Sequence, residues 1–309
     1  MNQMAKTIEL HSAPSLPKVF ARAVASSRGR DGTGGLPDLQ VVRAGVTIDP
    51  SHLADYDHVC GFPLRDQLPS TYLHNLVFPL QVTLFADKSY PYPLVGSVHL
   101  DNALIQHRPV HVGEELELST RPTDARPHKR GVQVDVVSQA QVGDELVWEG
   151  VATYLYRGQR IEGTVPERPQ ESRGPREVSE RGTSGELRGV QAEAPDGPGM
   201  VWRLPANLGR RFAAVSGDVN PIHMNSVTAK AMGFPATIVH GMWSQARMLA
   251  AIENRLPAAY RARMSFRKPV LIPGTVRLVA HREQASWELA LRDQRRNTVL
   301  VRGEVSPIS

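Results

Sequence analysis

An α+β fold made of two copies of one unit is predicted by three features of the sequence. Helix-compatible stretches are followed by runs of strands rather than interleaved with them, which is the α+β order and not βαβ. One short pattern of residues occurs twice, in the same order. A stretch poor in large apolar residues, 161–200, separates the two occurrences. The length of 309 residues suits two domains, and 41% hydrophobic residues suffice to fill their cores.

Residues 1–36 read as an N-terminal tail. Within it, Pro17 to Ser26 is weakly amphipathic and basic, and is expected to be a short packing helix rather than a targeting or membrane-surface helix. Arg30-Asp-Gly-Thr-Gly-Gly35 reads as a loop. It lacks the GxGxxG spacing and follows no strand, so it is not a dinucleotide fingerprint. A first folded half, 37–160, begins with a strand over Gln40 to Thr47 and a helix over Pro50 to His58, with Asp49 or Ser51 as its cap. Ser70 to Ala86 is a long apolar helix expected to kink or break at Pro79, because proline lacks the N–H that a helix interior needs. Strands are expected over Gly96 to Gln106, Glu114 to Ser119, Gly131 to Ala140 and Glu145 to Arg157. Turns are expected at Val112-Gly113, Arg126-Pro127 and Val142-Gly143-Asp144. Val132, Val134 and Val136 alternate with Gln133 and Asp135, the pattern of a half-buried strand.

Residues 161–200 are rich in proline, glycine and alternating charge. Such a segment buries too little apolar surface to offset its ordering entropy, and it is expected to be a flexible linker. The second half, 201–309, has a helix-compatible stretch at Ser226 to Met232 and an amphipathic helix over Gly241 to Leu256. Strands follow over Met264 to Arg267, Gly274 to His281, Ala285 to Arg292 and Val299 to Val305.

The repeat rests on two matches. Tyr56-Asp-His-Val-Cys-Gly61 aligns with Phe212-Ala-Ala-Val-Ser-Gly217, and Arg108-Pro-Val-His-Val-Gly113 aligns with Lys268-Pro-Val-Leu-Ile-Pro-Gly274. Both pairs are separated by about 160 residues, which points to duplication of one unit. The copies diverge after the glycine. Gly217 is followed by Asp218-Val-Asn-Pro-Ile-His223, whereas Gly61 is followed by Phe62-Pro-Leu-Arg-Asp-Gln. Phe62 stands opposite Asp218 and nothing stands opposite His223, so the chemistry belongs to the second copy.

Asp218 and His223 lie either side of an Asn-Pro step. Pro221 fixes its own φ and confines Asn220 to extended geometry, which lets the chain turn so that both side chains face one spot. A carboxylate beside an imidazole is a general acid/base pair near neutral pH, able to grip a water while one group takes a proton and the other gives one. Asn220 is expected to orient a neighbour or close the loop. His240-Gly241 opens the following helix. The Gly241 N–H, unscreened by a side chain at a positive helix end, suits an oxygen that gains negative charge, as in the oxyanion hole of a thioester carbonyl.

Competing readings remain at this point. Ser-Gly-Asp-x-Asn-Pro is rich in turn formers and reads equally as a plain loop. A metal site from Asp218, His223 and His240 matches no standard ligand spacing, so no metal and no cofactor are expected. Ser216 is not in a GxSxG elbow and is a poor nucleophile. Cys60, the one cysteine, reads as a buried small residue, and a chain with one thiol fits a reducing cytoplasm. His58, His74 and His99 read as surface or core histidines. The net charge of +5 does not mean nucleic acid, because the basic residues are scattered and no recognition module is present. No apolar run reaches the length of a membrane span, and no signal peptide is visible at the N-terminus.

The stretch Phe212-x-x-Val-Ser-Gly-Asp-x-Asn-Pro-Ile-His, followed by five residues and Ala229, resembles the signature of the MaoC-like (R)-specific enoyl-thioester hydratases. Phe234 and Ile238-Val-His-Gly-Met242 resemble that family's next block. The whole layout is similar to the double hot-dog 3-hydroxyacyl-thioester dehydratases of actinobacteria. The match is close over 205–275 and looser over 40–160. The resemblance implies a double hot-dog fold, two curved antiparallel sheets each wrapping a central helix, with a degenerate first copy and a pseudo-dimer within one chain; a homodimer is left open. It implies catalysis by Asp218, His223 and the Gly241 N–H, with Ser216, Asn220, His240 and Met242 beside the substrate. The expected reaction is syn hydration of a trans-2-enoyl thioester, or its reverse, on a coenzyme A or acyl-carrier-protein carrier. The break at Pro79 would widen the acyl tunnel. Arg210, Arg211, Arg261, Arg263, Arg267 and Lys268 are candidates to meet the carrier's phosphates. A hot-dog thioesterase and a non-catalytic acyl-binding subunit are the alternatives.

Overall fold

The computed structural model describes residues 6–26, 30, 32, 35–94, 96–163, 165 and 194–308. Most of the expected linker therefore lies outside the described residues, as does part of the expected Arg30 to Gly35 loop. The chain forms two compact units, each a mainly antiparallel sheet with a helix against it, as in a double hot-dog. The first comprises residues 1–48, 73–105 and 113–184, the second 49–72, 106–112 and 185–309. The units therefore do not coincide with the sequence halves: the helix before Gly61 and residues 106–112 group with the second.

In the first unit the strands are ordered β1-β2-β4-β5-β6-β3. They are β1 (Lys6–Glu9), β2 (Leu39–Val46), β3 (Ser97–Gln106), β4 (Leu116–His128), β5 (Gly131–Val142) and β6 (Glu145–Arg157). β1, which the sequence reading left in the tail, pairs in parallel with β2. Helix α1 (Leu16–Ser26) forms where the amphipathic stretch predicts it. Helix α3 (Ser70–Ala86) lies against the sheet, where the Gln81 carboxamide donates to Ser138 Oγ at 3.1 Å and accepts from Tyr154 Oη at 3.1 Å.

Three expectations are corrected in this unit. The helix is not interrupted at Pro79 and runs unbroken to Ala86. Its apolar residues Leu73, Val77, Leu80 and Leu84 are wholly buried. Such burial outweighs the roughly 3 kcal/mol that an interior proline costs, and Thr83 Oγ1 donates to the Pro79 carbonyl. The tunnel-widening break is therefore absent. Arg126-Pro127 is not a turn: β4 continues to His128 through an irregularity between Thr123 and Arg126, where Asp124 has φ 49°. Nor is β5 half-buried, since Gln133 and Asp135 are as buried as the valines. The last two corrections share one cause. Arg126 donates to both carboxylate oxygens of Asp135 at 2.8 and 3.0 Å, and Thr153 donates to Asp135 at 2.6 Å. A buried carboxylate needs such full pairing.

In the second unit the strands are ordered β8-β11-β10-β9-β7. They are β7 (Met200–Leu204), β8 (Tyr260–Phe266), β9 (Gly274–Glu283), β10 (Ser286–Asp293) and β11 (Val299–Pro307), all antiparallel. The helices are α2 (Pro50–Cys60), α4 (Leu208–Ser216), α5 (Pro221–Met224), α6 (Ser226–Ala231) and α7 (Gly241–Ala250). Asp49 caps α2 by accepting from Ser51 N–H at 2.9 Å, with Pro50 at the first helical position. Helix α7 is shorter than the sequence predicts. It stops at Ala250 and a 3-10 turn, Glu253–Arg255, follows. Pro257 ends that turn, because the residue before a proline avoids the helical region, and Leu256 is extended with ψ 141°. Trp243 on α7 donates to the Val59 carbonyl at 3.0 Å, which fixes α7 against α2. Among the described residues no helix is long and apolar enough to cross a membrane.

Candidate active site

The site is built on the end of α4. The helix closes at Gly217 with φ 70°, a left-handed geometry that glycine adopts without a Cβ penalty. The chain then makes a tight polar loop. Asp218 N–H donates to Ser216 Oγ at 3.2 Å, and Asn220 N–H donates to Asp218 Oδ1 at 3.1 Å. Asn220 Oδ1 caps α5 by accepting from Ile222 N–H at 3.4 Å, with Pro221 at the first helical position. Ser216 and Asn220 are thus occupied in shaping the loop. Gly209 on α4 is also required, because a Cβ there would strike the His223 carbonyl. The sequence reading missed this, since the neighbour is distant in the chain.

Asp218, His223 and His240 converge, with one donor atom of each within 4.8 Å of the others. His223 Nδ1 lies 2.9 Å from the Ile238 carbonyl. A carbonyl only accepts, so Nδ1 carries the proton and Nε2 of the neutral ring is the free acceptor. His240 Nε2 likewise donates to the Asp218 carbonyl at 2.9 Å, which leaves its Nδ1 bare and without a partner among the described residues. The two imidazoles stack with centroids 3.7 Å apart, and the Phe212 ring covers His240 at 4.9 Å. His240, read from sequence as a substrate contact, is 2% exposed and forms the wall behind the pair.

Burial pushes the Asp218 carboxyl up, opposed by the His223 imidazole and by the Asn220 N–H. Burial pushes His223 down, opposed by Asp218 and by Ile238. His240 is pushed further down, by burial and then by His223, so it stays neutral. The two pKa values of the pair are driven toward each other, as a shared-proton acid/base pair needs. Asp218 Oδ2 and His223 Nε2 are the atoms that the loop and the wall do not consume.

Helix α7 begins beside them. His240 is its N-cap residue and provides no side-chain cap, so the first N–H groups of α7 are uncapped by it. A Cβ on Gly241 would come 3.0 Å from the Phe266 ring, so that ring closes over the glycine. Met242, the next residue, is half-buried. An open pocket of about 330 Å³ in the same unit is lined by Phe62, Arg65, Ser70, Gln106, Glu253 and Tyr260. It includes none of Asp218, His223 and Gly241, and its lining comes from both copies of the repeat.

A family model for the MaoC-like domain matches residues 166–301. The 3-hydroxyacyl-thioester dehydratase X of Mycobacterium tuberculosis is 34% identical over 276 residues, covering 88% of this chain and 91% of that protein. The crystal structure of HtdX from Mycobacterium tuberculosis superposes with a TM-score of 0.72 at 31% identity, over 87% of this chain and 100% of that one. A MaoC-like dehydratase from Phytophthora capsici shares the fold, with a TM-score of 0.68 at 17% identity, over 91% of this chain and 98% of the other.

Proposed function

The chain belongs to the MaoC-like family, and on that premise we propose that it is a hydro-lyase. It interconverts trans-2-enoyl and (R)-3-hydroxyacyl thioesters of fatty-acyl metabolism. The observation that carries this reading is the His223 Nδ1 bond to the Ile238 carbonyl, which turns a bare Nε2 to the site beside Asp218.

In hydration a water sits between Asp218 and His223, and the pair holds one dissociable proton. The member without it takes a proton from the water as oxygen bonds to C3. The member with it delivers a proton to C2, and the transferred proton restores the pair. Delivery and attack from one side make the addition syn. Uncapped N–H groups at the start of α7, that of Gly241 first, stabilise the thioester oxygen as charge develops on it. Dehydration is the same path reversed. We read 201–309 as the catalytic copy and 37–160 as the non-catalytic one, with coenzyme A or acyl carrier protein as the carrier. A single buried thiol, Cys60, supports a cytoplasmic location.

A metal centre is the second reading that the geometry raises, because Asp218, His223 and His240 crowd together. Against it, the spacing of these three residues along the chain matches no standard ligand pattern. The test is to incubate the chain with a trans-2-enoyl-CoA and follow both enoyl loss and product chirality. The expected result is an (R)-3-hydroxyacyl product at a rate unaffected by a chelator. An (S) product, free thiol release as in a thioesterase, or a chelator-sensitive rate contradicts the proposal.

A further inference from the structure

Gln245 is a polar residue that neither the fold nor the proposed chemistry uses. It lies on α7, is wholly buried, and neither Oε1 nor Nε2 has a hydrogen-bond partner among the described residues. A buried carboxamide with both ends unpaired is expensive, and natural interiors hold few of them. Its place on the helix suggests what pairs it. Residue 245 stands one helical turn from Gly241, on the same face, and helical side chains lean toward the N-terminus. The carboxamide therefore reaches back along α7 toward the helix start, where the thioester oxygen is proposed to sit. C3 of a bound acyl chain is two bonds from the thioester carbon, within the same short span.

We infer that Gln245 is a specificity-determining residue that recognises the 3-hydroxyl of the bound (R)-3-hydroxyacyl thioester. This rests on the hydro-lyase reading above. A carboxamide presents a donor and an acceptor side by side, and a hydroxyl is both acceptor and donor. The enoyl thioester has no oxygen at C3, and the attacking water is held by Asp218 and His223, so the carboxamide gains its partner only as that oxygen bonds to C3. The interaction is then made with the hydroxyacyl form and the transition state, but not with the enoyl form.

That difference fixes a kinetic signature for Gln245→Met, a replacement of similar length without polar atoms. In dehydration, KM for the (R)-3-hydroxyacyl thioester rises about tenfold and kcat is unchanged, the size of one lost hydrogen bond. In hydration, kcat falls about tenfold and KM for the enoyl thioester is unchanged. The pattern keeps the ratio of the two kcat/KM values constant, as the overall equilibrium demands. The thermal midpoint of the unliganded variant stays level or rises, because an unpaired buried group has been removed. A midpoint that falls by several degrees overturns the inference, since Gln245 would then be paired within the free protein. Unchanged constants in both directions overturn it too and leave the hydro-lyase reading intact. A wild-type chain that converts neither thioester overturns both.

Discussion

Two helix ends in the second unit share a backbone and differ in chemistry. α2 ends at Gly61 with φ 81°, its N–H bonded to the Asp57 carbonyl, and α4 ends at Gly217 with φ 70°, its N–H bonded to the Ala213 carbonyl. The aromatics at matching positions, Tyr56 and Phe212, pack together at 6.3 Å. Beyond the glycine the chains part. Phe62 turns inward and stacks on Tyr56 at 6.5 Å, whereas Asp218 faces the imidazole pair. A pocket persists at Phe62, and its lining holds Glu253 and Arg65 but no imidazole. The helix and its left-handed glycine therefore form with or without a polar loop behind them. The plain-loop reading of Asp218 to His223 explains Ser216 and Asn220, which shape the backbone, but not His223 Nε2, which shapes nothing.

The comparison can be broken by moving the acid. Phe62→Asp combined with Asp218→Asn should hydrate no faster than Asp218→Asn alone, because the first copy has no imidazole to share a proton with. It should also lower stability by about 3 kcal/mol or more, since a buried aromatic is replaced by a charge. Chemical denaturation and an enoyl-thioester assay check both. Recovery of activity would show that the first copy keeps more of the machinery than its residues suggest.

It can be sharpened at the helix start. Gly241→Ala retains the N–H but brings a methyl against the Phe266 ring, 3.0 Å away. A displacement on that scale should cost about 10²-fold in kcat. Ser70→Ala, at the start of α3 in the first copy, should leave kcat within about twofold, the small effect usual where no reacting group is touched.

The pH dependence of kcat/KM should be bell-shaped. On the acid side a second proton binds the Asp218–His223 pair, and on the alkaline side the shared proton leaves. In Asp218→Asn the residual activity should keep only the limb due to His223. A flat profile in the wild type would contradict a shared proton.

The smallest expected effect concerns Asp57, whose counterpart is Ala213. Burial, with the Glu253 charge second, raises its carboxyl from 3.8 to about 7, and neither oxygen has a partner among the described residues. The folded state thus holds a proton that the unfolded state releases at lower pH. Stability falls as pH rises from about 4 to about 7, and the full penalty remains above that. Asp57→Asn should match the wild-type thermal midpoint near pH 4 and exceed it at pH 8 by about 2 °C or more. A gap that does not widen with pH would show Asp57 to be paired.

How much was legible beforehand follows from what is local. The loop from Asp218 to His223 is fixed by cap and turn residues adjacent in the chain, so the convergence of these two side chains is legible in the sequence, and so is the Gly241 helix start. Long-range partners could not be read. Arg126 meets Asp135 across a strand pair, which turned an expected turn into β4 and an expected exposed face into a buried one. Burial of α3 overrode Pro79. The bond from His240 to the Asp218 carbonyl, 22 residues away, leaves no local signal. Gly209 and Gln245 carry no local signal at all, since their significance lies only in what is, or is not, packed beside them.

The most direct measurement is the initial rate of trans-2-enoyl thioester hydration by Asp218→Asn, His223→Gln and the double variant. A dyad that shares one proton predicts three losses of similar size, each about 10²- to 10⁴-fold, with the double variant no worse than the singles. A single variant that keeps the wild-type rate, or a double variant whose loss is the product of the two singles, would contradict it.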